Sequence, residues 1–145
     1  MSKLHVAFKV GSAEYVIAAE DVLHLESFTD ATRVPGAPAF VTGLVQVRGR
    51  LVPVIDLRTR FGLAAGERTI DNRIIVVKVG TRVAGLLVDS ARDILRLDPS
   101  AFSPPPDLMG QEGDGFVKAV TTIASRLLLL VDVPRVIGEE ISHVQ

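Results

Sequence analysis

Three aspartates (Asp56, Asp89, Asp132), three histidines (His5, His24, His143) and four arginines (Arg48, Arg50, Arg58, Arg60) are the side chains of this 145-residue chain that invite a chemical reading. A hydrolase needs paired carboxylates or a base beside a nucleophile, and Asp89 or Asp132 is where one would be sought. Asp56 and Asp132, however, each precede a short helical turn, where a carboxylate caps backbone N–H groups. Asp89 ends the apolar run LLVD, where pairing with amides of the following turn is expected. The histidines lack the spacing of a metal site, and no nucleophile elbow or phosphate-cradling loop with lysine occurs. No enzyme, metal or cofactor is expected. The arginines fall within thirteen residues and raise a second class, a small-barrel binder of single-stranded nucleic acid. Such sites need aromatic platforms, each stacked base contributing about 1–3 kcal/mol, and Phe61 is the one ring in that stretch. For Arg48 and Arg50 the readings left open are a structural ion pair on a solvated face and a protein-binding role.

The segment GLVQVRGRLVPVIDLRTRFG (43–62) shows what must position these groups. Val45 and Val47 lead into Arg48-Gly49-Arg50, and Leu51, Val52, Val54 and Ile55 follow, which reads as a tight β-hairpin with Gly49 at a position needing φ > 0. Asp56 then caps a helical turn over 57–61 that Gly62 stops. Arg48 is left at the mouth of a stiff hairpin.

Displaced by 76 positions, RGRLVPVIDLRTRFG (48–62) lies over ASRLLLLVDVPRVIG (124–138), matching Arg50, Leu51, Asp56 and Gly62 to Arg126, Leu127, Asp132 and Gly138. KVGSAEYVIAAEDV (9–22) likewise parallels KVGTRVAGLLVDSA (78–91), with Lys-Val-Gly read as a hairpin turn in each, and VLHLE (22–26) parallels ILRLD (94–98) after three extra residues. Each half reads as about five short strands, one of them with Val22, His24 and Glu26 on one side and Leu23 and Leu25 on the other. Strands of this number and length close into small barrels or sandwiches. The expectation is one all-β unit over 1–145 made of two subdomains, about 4–62 and about 72–138, with strand or terminal exchange between them allowed for. Turn-forming Pro and Gly clusters separate the pieces at 29–38, 63–71 and 103–115.

The chain is long enough to bury roughly 70% of its unfolded surface without staples. It has no cysteine, in keeping with a reducing compartment, and a net charge of −1, which gives no field to draw nucleic acid or an anionic membrane. Residues 1–25 do not read as a signal peptide, and the apolar runs are too short to span a bilayer. A soluble, cytoplasmic protein is expected. Its hydrophobic content of 48% and mean hydropathy of +0.36 are high, so part of the apolar surface is expected to meet partners.

PGAPAFVTGLVQVRGRLVPVIDLRTRFGL (35–63) resembles the signature of CheW-like adaptor domains, the coupling proteins of bacterial chemotaxis arrays, and NRIIVVKVGTRVAGLLVDSARDILRLDPSAFSPPP (72–106) and SRLLLLVDVPRVIG (125–138) resemble the family's second half. The resemblance implies two small five-stranded β-barrels packed side by side, with short helical turns. It implies a non-enzymatic scaffold that couples the cytoplasmic tips of methyl-accepting chemoreceptors to the regulatory domain of a CheA-type histidine kinase. The isolated protein would be a monomer, joining rings with the kinase through apolar barrel ends in membrane-associated arrays. An adaptor of another chemosensory-type pathway, such as pilus motility or surface sensing, is the alternative of the same kind. Carried over by motif, a receptor-facing groove between the barrels would involve Val22, Gly43, Arg48, Gly85, Ala91 and Ile94. Where many members carry a glutamate able to pair with the Arg-Gly arginine, this chain has His24, so either Glu26 substitutes or Arg48 is free for a partner. Lys118 stands where the family often has glycine.

Overall fold

The computed structural model describes residues 1–106 and 115–138. His143 and the Gly113-Asp114 part of the third loop lie outside them. Ten strands and two short helices follow in order: β1 (Lys3–Val10), β2 (Ala13–Ala18), β3 (Val22–Ser27), β4 (Val41–Val47), β5 (Arg50–Asp56), α1 (Leu57–Arg60), β6 (Arg73–Val79), β7 (Arg82–Val88), β8 (Ser90–Leu97), β9 (Val117–Ile123), β10 (Arg126–Val131) and α2 (Val133–Ile137). Single 3-10 turns occupy Ala19–Asp21 and Pro99–Ala101.

The strands form two five-stranded sheets, sheet I in the order β8-β1-β2-β10-β9 and sheet II in the order β3-β6-β7-β5-β4. The all-β expectation of five strands per unit holds, although neither ladder closes into a continuous barrel. The sheets also do not divide at the boundaries 4–62 and 72–138. Each takes its first hairpin from one sequence half and three strands from the other: β1-β2 joins β8, β9 and β10, while β6-β7 joins β3, β4 and β5. Two antiparallel pairings, β1 with β8 and β3 with β6, and two parallel ones, β2 with β10 and β5 with β7, make the exchange. A parallel pair cannot be made by a tight turn, so it ties segments far apart in sequence.

The two halves are built alike. Val22 pairs with Val77 and Leu25 with Ile75, just as Ala91 pairs with Phe8 and Ile94 with Val6, and a register shift falls at the same place in each ladder. Val22 is therefore equivalent to Ala91 and Leu25 to Ile94, without the three extra residues that the bare sequence comparison suggests. Thr32 bridges to Leu44 and Ser103 to Val120, and the Asp56 and Asp132 amides donate to the carbonyls of Phe40 and Phe116, each at 2.8 Å.

Three apolar clusters account for the high hydropathy. The largest lies between the sheets and takes Val6, Phe8 and Ile17 from sheet I, Ile75, Val77 and Leu86 from sheet II, and Leu57 and Val136 from the helices. A second lies on the opposite face of sheet II with Phe28, Val52, Val54, Ile74 and Val76, and a third gathers Ala7, Val16, Leu97 and Leu128 in sheet I. Both faces of β1, β6 and β7 are thus buried, so these strands read as continuous apolar runs rather than alternating ones.

Candidate functional site

The hairpin of β4 and β5 forms as the sequence predicts. Arg48 (φ 52°) and Gly49 (φ 81°) make a two-residue turn between Val47 and Arg50, the φ > 0 pair whose twist matches antiparallel strands. Arg48 is exposed and reaches across to the far edge strand of its sheet, where its Nε donates to Glu26 Oε2 at 3.2 Å. Glu26 replaces the partner missing at His24. The sheet edges β3 and β4 otherwise stay apart over a cleft of about 560 Å³ lined by Phe28, Thr32, Val45, Val47 and Leu51.

Arg50 is exposed, whereas Arg58 and Arg60 turn inward. Arg58 forms a two-pronged pair with Asp89, Nε to Oδ1 at 2.9 Å and Nη2 to Oδ2 at 2.8 Å. Arg60 lies over the rings of Phe40 (3.9 Å) and Phe116 (4.9 Å) and donates to the Val136 carbonyl. Two of the four cations are thus spent on internal contacts. Asp56 and Asp132 are caps: their Oδ1 atoms accept the amides of Arg58 (2.9 Å) and Arg135 (3.2 Å). Asp89 departs from expectation, accepting from the distant Gly11 amide at 2.8 Å rather than from the turn after it. Burial works to raise its carboxyl, but the hydrogen bonds from Arg58 and Gly11 and the guanidinium charge outweigh that and hold it below the usual carboxylate range. His5 is buried against Phe102, its Nδ1 3.1 Å from the Lys3 carbonyl. Among the described residues no three His, Asp or Glu side chains gather as metal ligands, and no helix is long and apolar enough to cross a membrane.

The six residues named from motif fall into three places. Val22 and Ala91 occupy equivalent positions and pack at the border of the core between the sheets. Ile94, next along β8, is 58% exposed. Its cross-strand partner Val6 belongs to that same core, and directly opposed residues share a face, so Ile94 prolongs the core outward. Arg48 lies further off: its partner Glu26 is four residues beyond Val22, about 13 Å along β3. Gly43 and Gly85 are buried in sheet II. A Cβ on Gly43 (φ 153°) would collide with the Thr32 carbonyl oxygen, and one on Gly85 with Ile74 Cγ2, so the close neighbours at both are this chain's own atoms.

Leu23 and Leu25 were not singled out by motif. They are 42% and 49% exposed, whereas Val22, His24 and Glu26 are half-buried. The exposure of β3 alternates as read, with its leucines the more exposed, but the register shift between Val22 and His24 puts Val22 on the same face as Leu25. Leu25 opposes Ile75 of the core between the sheets, while Glu26 opposes Ile74 of the sheet II core. Leu23 and Leu25 on one edge strand and Ile94 on its counterpart thus form two apolar borders to the shared core. The signal available in the sequence was two leucines alternating with His24 and Glu26, which usually marks the leucine side as buried.

Comparison with known proteins bears directly on this arrangement. The CheW-like domain family model matches residues 5–140. The chemotaxis protein CheW of Rhizobium meliloti is 36% identical over 135 residues, covering 93% of this chain and 87% of that protein. The chemotaxis protein CheW of Bacillus subtilis is 31% identical, covering 95% and 88%. Among solved structures, the scaffolding protein TtCheW from Thermoanaerobacter tengcongensis superposes with a TM-score of 0.86 at 28% identity, covering 94% of this chain and 92% of that one. With a family model spanning nearly its whole length, relatives matched end to end and the same fold, the chain belongs to the CheW-like domain family.

Proposed function

We propose that this protein is a non-enzymatic adaptor of chemotaxis signal transduction that holds a chemoreceptor's cytoplasmic helical tip and a CheA-type histidine kinase together. The observation that carries it is the pair of equivalent apolar borders, Leu23 and Leu25 with Val22 on β3, and Ile94 with Ala91 on β8. An amphipathic helix docks through a few apolar anchors of this kind, and anchors carry most of the binding energy. Arg48, held in place by Glu26, supplies a fixed charge that sets register at one end. Gly43 and Gly85 serve the site indirectly by keeping sheet II in shape. The kinase would take exposed apolar positions at hairpin ends, where Leu51, Ile123 and Leu127 stand, and localisation would follow the receptors to their arrays.

Co-sedimentation of this protein with receptor signalling fragments and a CheA-type kinase, omitting each in turn, tests the reading. Kinase should pellet with receptor only when the adaptor is present. Failure to bind either component would sink it. If the partners are those of a pilus or surface-sensing pathway instead, receptors from that pathway alone will complete the complex.

A further inference from the structure

Asp89 is the single residue between β7 of sheet II and β8 of sheet I, and its polar groups are tied to both. Toward sheet I, its amide donates to the Lys9 carbonyl at 2.9 Å and its Oδ2 accepts the Gly11 amide of the β1-β2 turn at 2.8 Å. Toward sheet II, its carboxylate takes both prongs of Arg58 on α1, and its carbonyl accepts from Asn72 Nδ2 at 3.3 Å, just before β6. Arg58 is fixed in turn by Nη1, which donates to the Ala64 carbonyl at 3.1 Å. A guanidinium and a carboxylate joined by two parallel bonds resist rotation as well as separation.

Among the described residues, the other crossing between the sheets has no two-pronged pair of this kind. By the equivalence of the ladders, the counterpart of Asp89 is Glu20, whose carboxylate forms an exposed pair with Lys3. The counterpart of Arg58 in the second repeat is Pro134, which has no side-chain donor. One passage between the sheets is therefore clasped by a two-pronged, part-buried pair and the other holds, among the described residues, an exposed single contact. The clasped one leads within two residues to Ala91 and within five to Ile94.

We propose that Asp89, clasped by Arg58 and the Gly11 amide, is a positioning residue that fixes the orientation of sheet I relative to sheet II and so the separation of the two apolar borders that a partner helix meets. Its functional consequence rests on the reading of those borders as the receptor site; the separation itself is a property of the isolated protein. The depressed carboxyl keeps the clasp charged throughout the neutral range.

Because the chain has no cysteine, Leu25→Cys and Ile94→Cys carry two nitroxide labels without background, and pulsed electron resonance reads the distance between the borders. The parent should give one narrow distribution. Asp89→Asn, which keeps an acceptor for Gly11 but loses the charged fork, and Arg58→Lys, which keeps the charge but not the second prong, should each at least double its width. Asp98→Ala, which removes the cap of the turn over Pro99–Ala101, should lower stability and leave the width unchanged, separating positioning from general loosening. Without labels, Asp89→Asn should bind a receptor fragment at least tenfold more weakly and the kinase regulatory domain within twofold of the parent. An unchanged distance distribution in both folded variants overturns the proposal, as does loss of the fold in both. If the distribution widens but the parent binds no receptor fragment, the positioning role stands and the receptor reading fails.

Discussion

Arg48 and Glu26 meet across the two free edges of one sheet, at 3.2 Å, although β3 and β4 share no ladder. The pair and the Thr32–Leu44 bridge are links that hold those edges near each other. Because the Arg48 side chain is 67% exposed, the pair contributes only about 0–1 kcal/mol, and its worth lies in where it puts the guanidinium. Arg48→Glu should therefore abolish receptor-dependent kinase activation with circular dichroism and melting temperature near the parent values. The exchanged double variant, Arg48→Glu with Glu26→Arg, restores a pair but not the charge offered to a partner. It should stay inactive. Recovery of activity in it would assign Arg48 a purely structural role.

Leu25→Asp and Ile94→Asp each place a charge on an apolar border while leaving the buried cores intact. Either should weaken binding of a receptor helical fragment by tenfold or more, about 1.4 kcal/mol, as read by calorimetry. Urea midpoints should shift little, since surface substitutions outside packed features fall within about 0.5 kcal/mol.

Gly43→Ala and Gly85→Ala should show the opposite profile. The first forces a methyl onto the Thr32 carbonyl at a backbone angle that favours glycine, and the second forces one onto Ile74. Overpacking of this kind costs about 1–3 kcal/mol, which urea unfolding measures. Receptor affinity per folded molecule should fall less than twofold, because both glycines act on the site only through the shape of sheet II.

The β9-β10 turn places Ala124 (φ 49°) and Ser125 (φ 67°) in the left-handed region, where an L-residue pays roughly 1–2 kcal/mol. Asn-Gly suits both positions. Replacing Ala124-Ser125 by Asn-Gly should raise stability by about 1 kcal/mol and the melting temperature by about 2–4 °C.

The Asp89 carboxyl is depressed in the folded protein, so its contribution is complete above the unfolded carboxylate value of about 3.9 and disappears as pH falls through the lower folded value. Arg58, whose guanidinium is held up chiefly by the hydrogen bond to Asp89, stays cationic throughout. Urea titrations from pH 7 to pH 2 should show parent stability declining below about pH 4, and Asp89→Asn should have a shallower decline. Equal slopes would mean that the clasp carries no coupling to protons.

Local patterns exposed much of this. The turn at Arg48-Gly49, the caps at Asp56 and Asp132 and the strand count all follow from rules that act within a few residues. Strand exchange between the halves is allowed for by the sequence, but which strands exchange is not legible, because it depends on pairings such as Leu128 with Glu14 and Val54 with Gly85, and no turn residue announces a partner that far away. Nor did the clasp on Asp89: its donors, Gly11 and Arg58, are 78 and 31 residues distant. Of the candidate site, Val22, Ala91 and Ile94 follow from motif, while Leu23 and Leu25 do not, because leucines alternating with polar residues ordinarily read as buried. Edge position, which the sequence does not state, leaves them half uncovered.

The weave of β2 with β10 has a price in time. A nascent chain leaving the ribosome holds β1 and β2 ready from the start, yet their neighbours β8 and β10 are among the last segments to emerge. The first hairpin must wait, its apolar flanks uncovered, until β8 and β10 have followed it. Sheet I is thus completed only when β10 arrives, and pairings between such distant segments slow folding, since partners must find one another before any gain is realised.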